Sequence, residues 1–209
     1  PERIAQYVLG YLLARSLRVD ATFREMAEKT WKRWTPDSLT GKNLLVVGMG
    51  AIGREVASAA RAFGMHVAGF TRTAKHDTKD LSELLGWADA VVNLLPLTRD
   101  TESFWNAERF HAMKKDATFV NVSRGATVDE AALLKALSKG RPGFAILDVF
   151  REEPLPPESP FRGRDDVWIT PHVAGIGTAE PLARDFARNW RLHREGNALR
   201  NVVDRERGY

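Results

Sequence analysis

Three glycines with G-x-G-x-x-G spacing form the first pattern along the chain that points to a ligand. Gly48, Gly50 and Gly53 follow an apolar run at residues 44–47 and precede a helical pattern over residues 51–63. In that context the first glycine allows a tight turn, the second lets the backbone approach a pyrophosphate, and the third lets helix and strand pack closely. The phosphates would bind at the helix N-terminus, which attracts anions. The pattern predicts dinucleotide binding; the alternative is a glycine-rich turn in an unrelated α/β domain.

The residues after the second predicted strand indicate which dinucleotide would bind. A site for NAD usually has a carboxylate there, about 20 residues after the glycines, that accepts hydrogen bonds from the ribose. Here Thr71, Arg72 and Thr73 follow the strand, and no carboxylate occurs before Asp77. Arg72 would bind a 2′-phosphate, helped by the two hydroxyls and by Lys75 as a second cation. The sequence favours NADPH over NADH, which stays possible; the alternative for Arg72 is a solvated surface arginine.

Three polar residues follow later strands and have the chemistry of an active site. Arg124, Glu153 and His172 each come shortly after an apolar run. Ligands of open α/β sheets bind outside the carboxyl ends of the strands, so we expect these side chains to face one crevice that also holds the nicotinamide. The alternatives are a structural histidine, a solvated arginine and Glu152 in the place of its neighbour.

The elements that must position these residues alternate between strand and helix. Two helical patterns, at residues 2–17 and 21–34, come before the first strand, and another follows at residues 179–195. The predicted strands are residues 44–47, 66–70, 90–95, 118–122, 144–149 and 167–170, with helices between most of them, notably at residues 129–139. Such alternation predicts an α/β fold, a Rossmann-type doubly wound parallel sheet with helices on both faces.

Composition excludes several classes of function. The 209 residues suffice for one core, and the net charge of +4 is dispersed, without the concentrated basic stripe of a nucleic-acid-binding protein. With no cysteine, disulfides, thiolate catalysis and thiolate metal sites are excluded, and we predict no metal site. No apolar run approaches the roughly 18 residues that span a bilayer, and no signal peptide is evident. We therefore expect a cytoplasmic protein without a membrane or nucleic-acid partner.

Five motifs make the chain resemble the D-2-hydroxyacid dehydrogenase family. They are VVGMGAIG, NLLPLT, NVSRGATVDEAAL, LDVFREEPLP and TPHVAG, in this order. The segment TRT at residues 71–73 and the ending VDRERGY are most similar to the NADPH-preferring glyoxylate/hydroxypyruvate reductases. The resemblance implies an oxidoreductase that transfers hydride from NADPH to a small 2-keto acid.

The resemblance also implies a role for each site residue. Arg124 would bind the substrate carboxylate and polarise the keto oxygen, and His172 would be the general acid. Glu153 would hold the imidazole and favour its protonated form. Asp148 is similar to the family residue that contacts the nicotinamide carboxamide. The predicted cofactor contacts are Gly48, Gly50, Ala51, Ile52, Gly53, Thr71, Arg72, Thr73, Leu95, Pro96, Val122, Ser123 and Asp148.

The resemblance divides the chain into three parts. Residues 1–35 would be N-terminal helices that pack on the nucleotide domain, residues 36–178 the Rossmann domain, and residues 179–209 a helix and tail that lead to a second domain. Family members normally have a flavodoxin-like substrate domain, and most of it is expected to be absent here, as the start at Pro1 without methionine also suggests. We expect the isolated chain to be weak or inactive, because orientation and water exclusion supply much of catalysis.

Assembly and the exact activity leave alternatives open. Family members usually dimerise through the nucleotide domain, and the apolar helix from Ile4 to Leu17 would be the contact element of a homodimer. The chain could instead belong to a dehydrogenase of the same family with another substrate, such as formate or phosphite, or with a preference for NAD. Two non-enzymatic alternatives are a nucleotide-sensing, corepressor-like binding protein and a nucleotide-binding domain without chemistry of its own.

Overall fold

Six short apolar runs form one parallel sheet. The computed structural model describes residues 1–71, 80–177 and 179–204. The spatial order is β2-β1-β3-β4-β5-β6 and every neighbouring pair is parallel, which confirms the predicted Rossmann-type α/β fold. The strands are β1 (Asn43–Val47), β2 (His66–Phe70), β3 (Ala90–Asn93), β4 (Thr118–Asn121), β5 (Phe144–Leu147) and β6 (Val167–Ile169). The order reverses between β1 and β3, so the ligand crevice of such a sheet lies at their carboxyl ends.

Seven α-helices occur in the described residues, and one of them differs clearly from its predicted length. They are α1 (Glu2–Ser16), α2 (Val19–Ala27), α3 (Ala51–Ala62), α4 (Leu81–Trp87), α5 (Ala107–Ala112), α6 (Glu130–Leu137) and α7 (Ala179–Arg194). The prediction that the second helix extends to Trp34 is wrong, because the helix ends at Ala27. Lys29 takes a left-handed conformation with φ of 54°, and the N–H of Thr30 donates to the carbonyl of Glu25 at 3.0 Å, which closes the helix end.

Four strands end earlier than predicted, β4 and β6 by one residue and β3 and β5 by two. In β3 and β5, polar side chains at the carboxyl end redirect the backbone. The third strand ends at Asn93 instead of residue 95, since the Asn93 Oδ1 accepts the N–H of Leu95 at 3.2 Å. The fifth strand ends at Leu147 instead of residue 149, where the buried Asp148 bonds to the segment after β6. Both deviations lie at the edge of the sheet where the site residues were predicted.

The alternation of side chains along the strands produces two cores. Leu44 and Val46 belong to a cluster with α1 and α3 on one face, whereas Leu45 and Val47 belong to a cluster with α4, α5 and α6 on the other. All four side chains are fully buried, as expected for a strand covered on both faces. The doubly covered sheet gives the loops at its carboxyl edge a fixed base.

The chain forms two compact units. Residues 1–174 form the first, which contains α1 to α6 and the sheet, and residues 175–209 form the second. In the second unit α7 has no buried residue, and Asn189 bonds in both directions with the backbone of Arg200, which attaches the following segment to the helix. Within the described ranges, none of the helices is long and apolar enough to cross a membrane.

Candidate active site

The glycine loop between β1 and α3 packs tightly against the segment after β3 and against its own backbone. Gly48 has φ of 109°, and a Cβ there would lie 2.8 Å from the carbonyl of Leu94 after β3. A Cβ on Gly53, within the first turn of α3, would lie 2.2 Å from the carbonyl oxygen of Gly48. Gly50, by contrast, is exposed and has no atom within 4 Å of a Cβ position. The loop is therefore packed at its first and third glycines and open at its second, where a pyrophosphate would approach.

The helix N-terminus beside this loop is exposed. Gly50 is the N-cap of α3 and carries no capping side chain, and Ala51 and Ile52 begin the first turn as exposed and half-buried residues. The first N–H groups of a helix have no partner within the helix and favour an anion. Both residues were predicted as cofactor contacts, and they lie where the phosphates of a dinucleotide would bind.

The segment predicted to select the cofactor begins next to the glycine loop. The N–H of Gly48 donates to the carbonyl of Phe70 at 2.9 Å, so the half-buried Thr71 follows directly beside the loop. Arg72, Thr73 and Lys75 lie outside the described residues.

A buried polar cluster joins the loops that follow β3 and β4. The Nδ2 group of Asn93 donates to Asn121 Oδ1 at 3.0 Å and to Thr127 Oγ1 at 2.8 Å, and all three residues are at most 1% exposed. Asn121 Oδ1 also accepts the N–H of Ser123 at 3.2 Å, and the Ser123 hydroxyl donates to the carbonyl of Leu95. These bonds hold two of the predicted cofactor segments side by side, Leu95–Pro96 and Val122–Ser123.

Arg124 leaves this cluster toward the loop after β5. Its carbonyl accepts the Thr127 hydroxyl at 2.7 Å, while its own guanidinium is exposed and donates to the carbonyl of Ser123 at 2.7 Å. A Cβ on the next residue, Gly125, would lie 1.9 Å from the backbone carbon of Phe150. Only glycine permits this contact, which brings Arg124 to the loop that carries Glu153.

Glu153 and His172 form a directly bonded pair. Oε2 of Glu153 lies 2.6 Å from Nδ1 of His172, and Oε1 accepts the N–H of Phe150 at 2.8 Å. Glu152 makes neither contact. Burial raises the pKa of Glu153, but the hydrogen bonds from His172 and Phe150 and the charges of His172 and Arg124 outweigh it and hold the pKa below its ordinary value. The carboxylate is therefore ionised at neutral pH, and its bond to Nδ1 leaves Nε2 of the imidazole unused.

Asp148 lies beneath the histidine and is 2% exposed. Its backbone carbonyl accepts the N–H of His172 at 2.9 Å, and its carboxylate accepts the N–H groups of Val173 and Ala174 at 2.8 and 2.9 Å. Its predicted contact with a nicotinamide stays a prediction, but its bonds to the histidine segment are a feature that the sequence did not indicate.

Sequence reasoning missed the residues that hold the loops together. Asn93 and Asn121 end otherwise apolar strands and lie opposite each other in the register of β3 and β4, which is a signal for a buried amide pair. Arg151 was also missed: its guanidinium donates to the carbonyl of Val128 and to the Ser103 hydroxyl at 3.1 and 2.6 Å, and so joins the glutamate loop to the arginine loop. Nothing in a single arginine of a polar loop indicates such a role.

No metal centre accompanies these residues in the part of the chain that the structure describes. Residues 1–71, 80–177 and 179–204 contain no group of three or more histidine, aspartate or glutamate side chains placed to hold an ion. The site as described consists of a glycine loop at a helix N-terminus, one exposed arginine and one histidine–glutamate pair at a common edge of the sheet.

Comparisons with known proteins agree with this architecture. Residues 9–174 match the family model described as "D-isomer specific 2-hydroxyacid dehydrogenase, NAD binding domain". The glyoxylate reductase of Pyrococcus horikoshii is 35% identical over 97% of this chain and 66% of its own length. The chain belongs to the D-isomer specific 2-hydroxyacid dehydrogenase family, and it spans about two thirds of the length of the curated relatives that it matches.

Solved structures of similar proteins include several with a bound nucleotide. A D-isomer specific 2-hydroxyacid dehydrogenase from Xanthobacter autotrophicus Py2, in complex with NADPH and MES, has a TM-score of 0.90 and 35% identity, covering 99% of this chain and 89% of that one. The NADPH-dependent glyoxylate/hydroxypyruvate reductase of Sinorhizobium meliloti, in complex with NADP and sulfate, has a TM-score of 0.91 and 30% identity, covering 99% of this chain and 69% of that one. The predicted family is thus confirmed, and a nicotinamide cofactor is supported.

Proposed function

We propose that this chain is the nucleotide-binding part of an oxidoreductase that uses NADPH to reduce a small 2-keto acid of the glyoxylate or hydroxypyruvate type to the 2-hydroxy acid. The observation that carries the proposal is the convergence of the open Gly50 loop, Arg124 and the Glu153–His172 pair at the carboxyl edge of one parallel sheet. The names of similar proteins support this choice of substrate and cofactor.

The residues present fit a dinucleotide. Backbone atoms lie so close to Gly48 and Gly53 that no side chain would fit at either position. The space around Gly50, beside the N-terminus of α3, is open. Leu95 and Ser123 are held at the next two loops along the edge, where the rest of the cofactor would extend. When bound, NADPH would supply the hydride for the keto carbon.

The polar residues of the chain then have separate tasks. Arg124 has an exposed guanidinium, whose donors match a carboxylate of the substrate. His172 donates a proton from Nε2 to the keto oxygen as the hydride reaches the neighbouring carbon, so one hydride and one proton together convert the carbonyl to an alcohol. Glu153 holds the imidazole in place through Nδ1. A positioned proton donor of this kind contributes roughly 10²–10⁴ to the rate.

Cofactor binding is the first test, because all the predicted cofactor contacts lie in this chain. Calorimetric titration with NADPH and NADH in parallel is expected to show a preference for NADPH that Arg72→Ala abolishes. Loss of charge-assisted bonds to a 2′-phosphate weakens NADPH by about 10- to 100-fold and leaves NADH unchanged. Arg61→Ala, at the far end of α3, is the matched control. Equal affinity for both nucleotides in the wild type would contradict the preference for NADPH.

The chemistry is tested in the protein at its full natural length. Loss of NADPH in the presence of glyoxylate or hydroxypyruvate is expected to require both His172 and Arg124. His172→Gln should retain nucleotide binding and lower turnover by roughly 10²–10⁴. Reduction of neither keto acid by the wild type would refute the proposed activity and leave the family assignment in place.

We also propose a homodimer that forms through the N-terminal helices. Part of the apolar stripe of α1 is used within the chain, since Val8, Leu9 and Leu12 are buried in the core shared with α3. The exposed apolar side chains lie further along: Phe23 and Met26 on α2 are 66% and 67% exposed. Residues three apart on a helix share one face, so α2 offers a contact surface to a second copy of the chain.

A further inference from the structure

A chain of hydrogen bonds connects helix α1 to the turn that carries His172. The Tyr7 hydroxyl lies 2.6 Å from Thr170 Oγ1, and the Thr170 hydroxyl donates to Asp148 Oδ1. A hydroxyl has one proton, and that of Thr170 is used on the carboxylate, so Tyr7 is the donor in the first bond. The direction of donation is therefore fixed from Tyr7 through Thr170 to Asp148.

Asp148, the last residue in this series of hydrogen bonds, holds the backbone of residues 172–174 in place. Asp148 accepts the N–H groups of His172, Val173 and Ala174, the first through its carbonyl and the other two through its carboxylate. His172 itself has a left-handed backbone with φ of 55°, a conformation that is uncommon outside glycine and persists only where neighbouring contacts impose it. The three bonds to Asp148 are contacts of that kind.

Tyr7 is fixed in turn by its packing. The centroid of its ring lies 4.4 Å from that of Tyr11. The Tyr11 ring in turn packs edge-on against Trp168 of β6, with 6.1 Å between the ring centroids. Burial, partly opposed by the bond to Thr170, raises the pKa of Tyr7 far above its ordinary value, with the charge of Asp148 adding to the rise. The hydroxyl therefore keeps its proton at neutral pH and can donate it in a hydrogen bond.

We propose that Tyr7 is a positioning residue for His172, acting through Thr170 and Asp148. This inference rests on the proposed role of His172 as the proton donor. In this proposal α1 does more than pack against the sheet, because its Tyr7 helps to orient the imidazole of His172, 165 residues later in the chain (172 − 7 = 165).

The test compares two tyrosines of one helix. Tyr7→Phe removes the donor, whereas Tyr11→Phe removes a hydroxyl that has no hydrogen-bond partner among the described residues. The readout is the NMR cross-peak of the His172 imidazole Cε1–Hε1 group in the 209-residue chain, assigned by its loss in His172→Gln. We expect Tyr7→Phe to move this cross-peak and to speed amide exchange at Val173 and Ala174 about two- to tenfold, as loss of one hydrogen bond implies. Tyr11→Phe should change neither.

A second pair of variants covers the case in which Tyr7→Phe does not fold. Thr170→Val keeps the shape of the side chain and removes the hydrogen bonds to Tyr7 and Asp148. Thr170→Ser keeps the hydroxyl and should retain the wild-type cross-peak. Coincidence of the His172 cross-peak in wild type and Thr170→Val would overturn the inference, as would equal displacement by Tyr7→Phe and Tyr11→Phe.

At full natural length, Tyr7→Phe should lower kcat and leave KM for NADPH unchanged. Failure of the proposed function appears separately, as absence of keto-acid reduction by the wild type.

Discussion

Both carboxylate oxygens of Glu153 are occupied, one by Nδ1 of His172 at 2.6 Å and the other by the N–H of Phe150 at 2.8 Å. The second bond prevents rotation of the carboxylate, so the first has a defined direction. An imidazole held in this way by Nδ1 presents Nε2, the nitrogen that a keto oxygen must approach. The pair thus sets the orientation of the proposed general acid.

The pair should make stability depend on pH in a predictable direction. The pKa of Glu153 is lowered from its ordinary value of 4.5, so its contribution to stability is complete above that value and disappears as pH falls through the lowered pKa. Urea unfolding of wild type and Glu153→Gln is expected to differ most near neutral pH and to converge in acid. Glu152→Gln, which removes an adjacent exposed carboxylate, should follow the wild type at each pH. A gap that widens on acidification would contradict the assignment.

The glycine loop allows stability and binding to be separated. Gly53→Ala places a Cβ 2.2 Å from the carbonyl oxygen of Gly48, so the loop must shift, with a loss of about 1–3 kcal/mol in stability and weaker NADPH binding. Gly50→Ala meets no atom within 4 Å, so stability should change by less than about 1 kcal/mol while NADPH affinity falls about tenfold or more. Unchanged affinity in Gly50→Ala would show that the pyrophosphate does not approach this position.

The sequence was informative where one physical rule acts locally. Continuous apolar runs predicted all six strands, and the glycine spacing predicted the loop, because both depend on burial and backbone conformation alone. It was uninformative where contacts join distant segments. The bonds from Arg151 to Ser103 and from Tyr7 to Thr170 connect residues that only the fold brings together. The helix that was expected to reach Trp34 stopped at Ala27, because a left-handed residue that no strong local signal marked closes it.

The buried polar cluster of Asn93, Asn121 and Thr127 should affect cofactor binding as well as stability. Asn93→Ala removes the amide group that donates to both Asn121 and Thr127 and should cost about 1–3 kcal/mol in unfolding free energy. Because Asn93 also holds the N–H of Leu95, NADPH affinity should fall with it. Asn43→Ala is the matched control: it removes a bond to the Trp87 carbonyl at the opposite end of the sheet. It should lower stability alone, and equal losses of affinity in both variants would count against a role for the cluster at the site.

The proposed homodimer can be assigned to a surface by changing one exposed side chain. Phe23 on α2 is 66% exposed, and its burial against a second copy would contribute through the apolar area removed from water. In analytical ultracentrifugation the wild type is expected to sediment as a dimer and Phe23→Glu to shift toward the monomer. Phe186→Glu on α7 changes a side chain that is 71% exposed and serves as the control for loss of an apolar residue at any surface. A shift toward the monomer with Phe186→Glu alone would assign the contact to α7 instead, and a wild-type monomer at high concentration would refute the dimer.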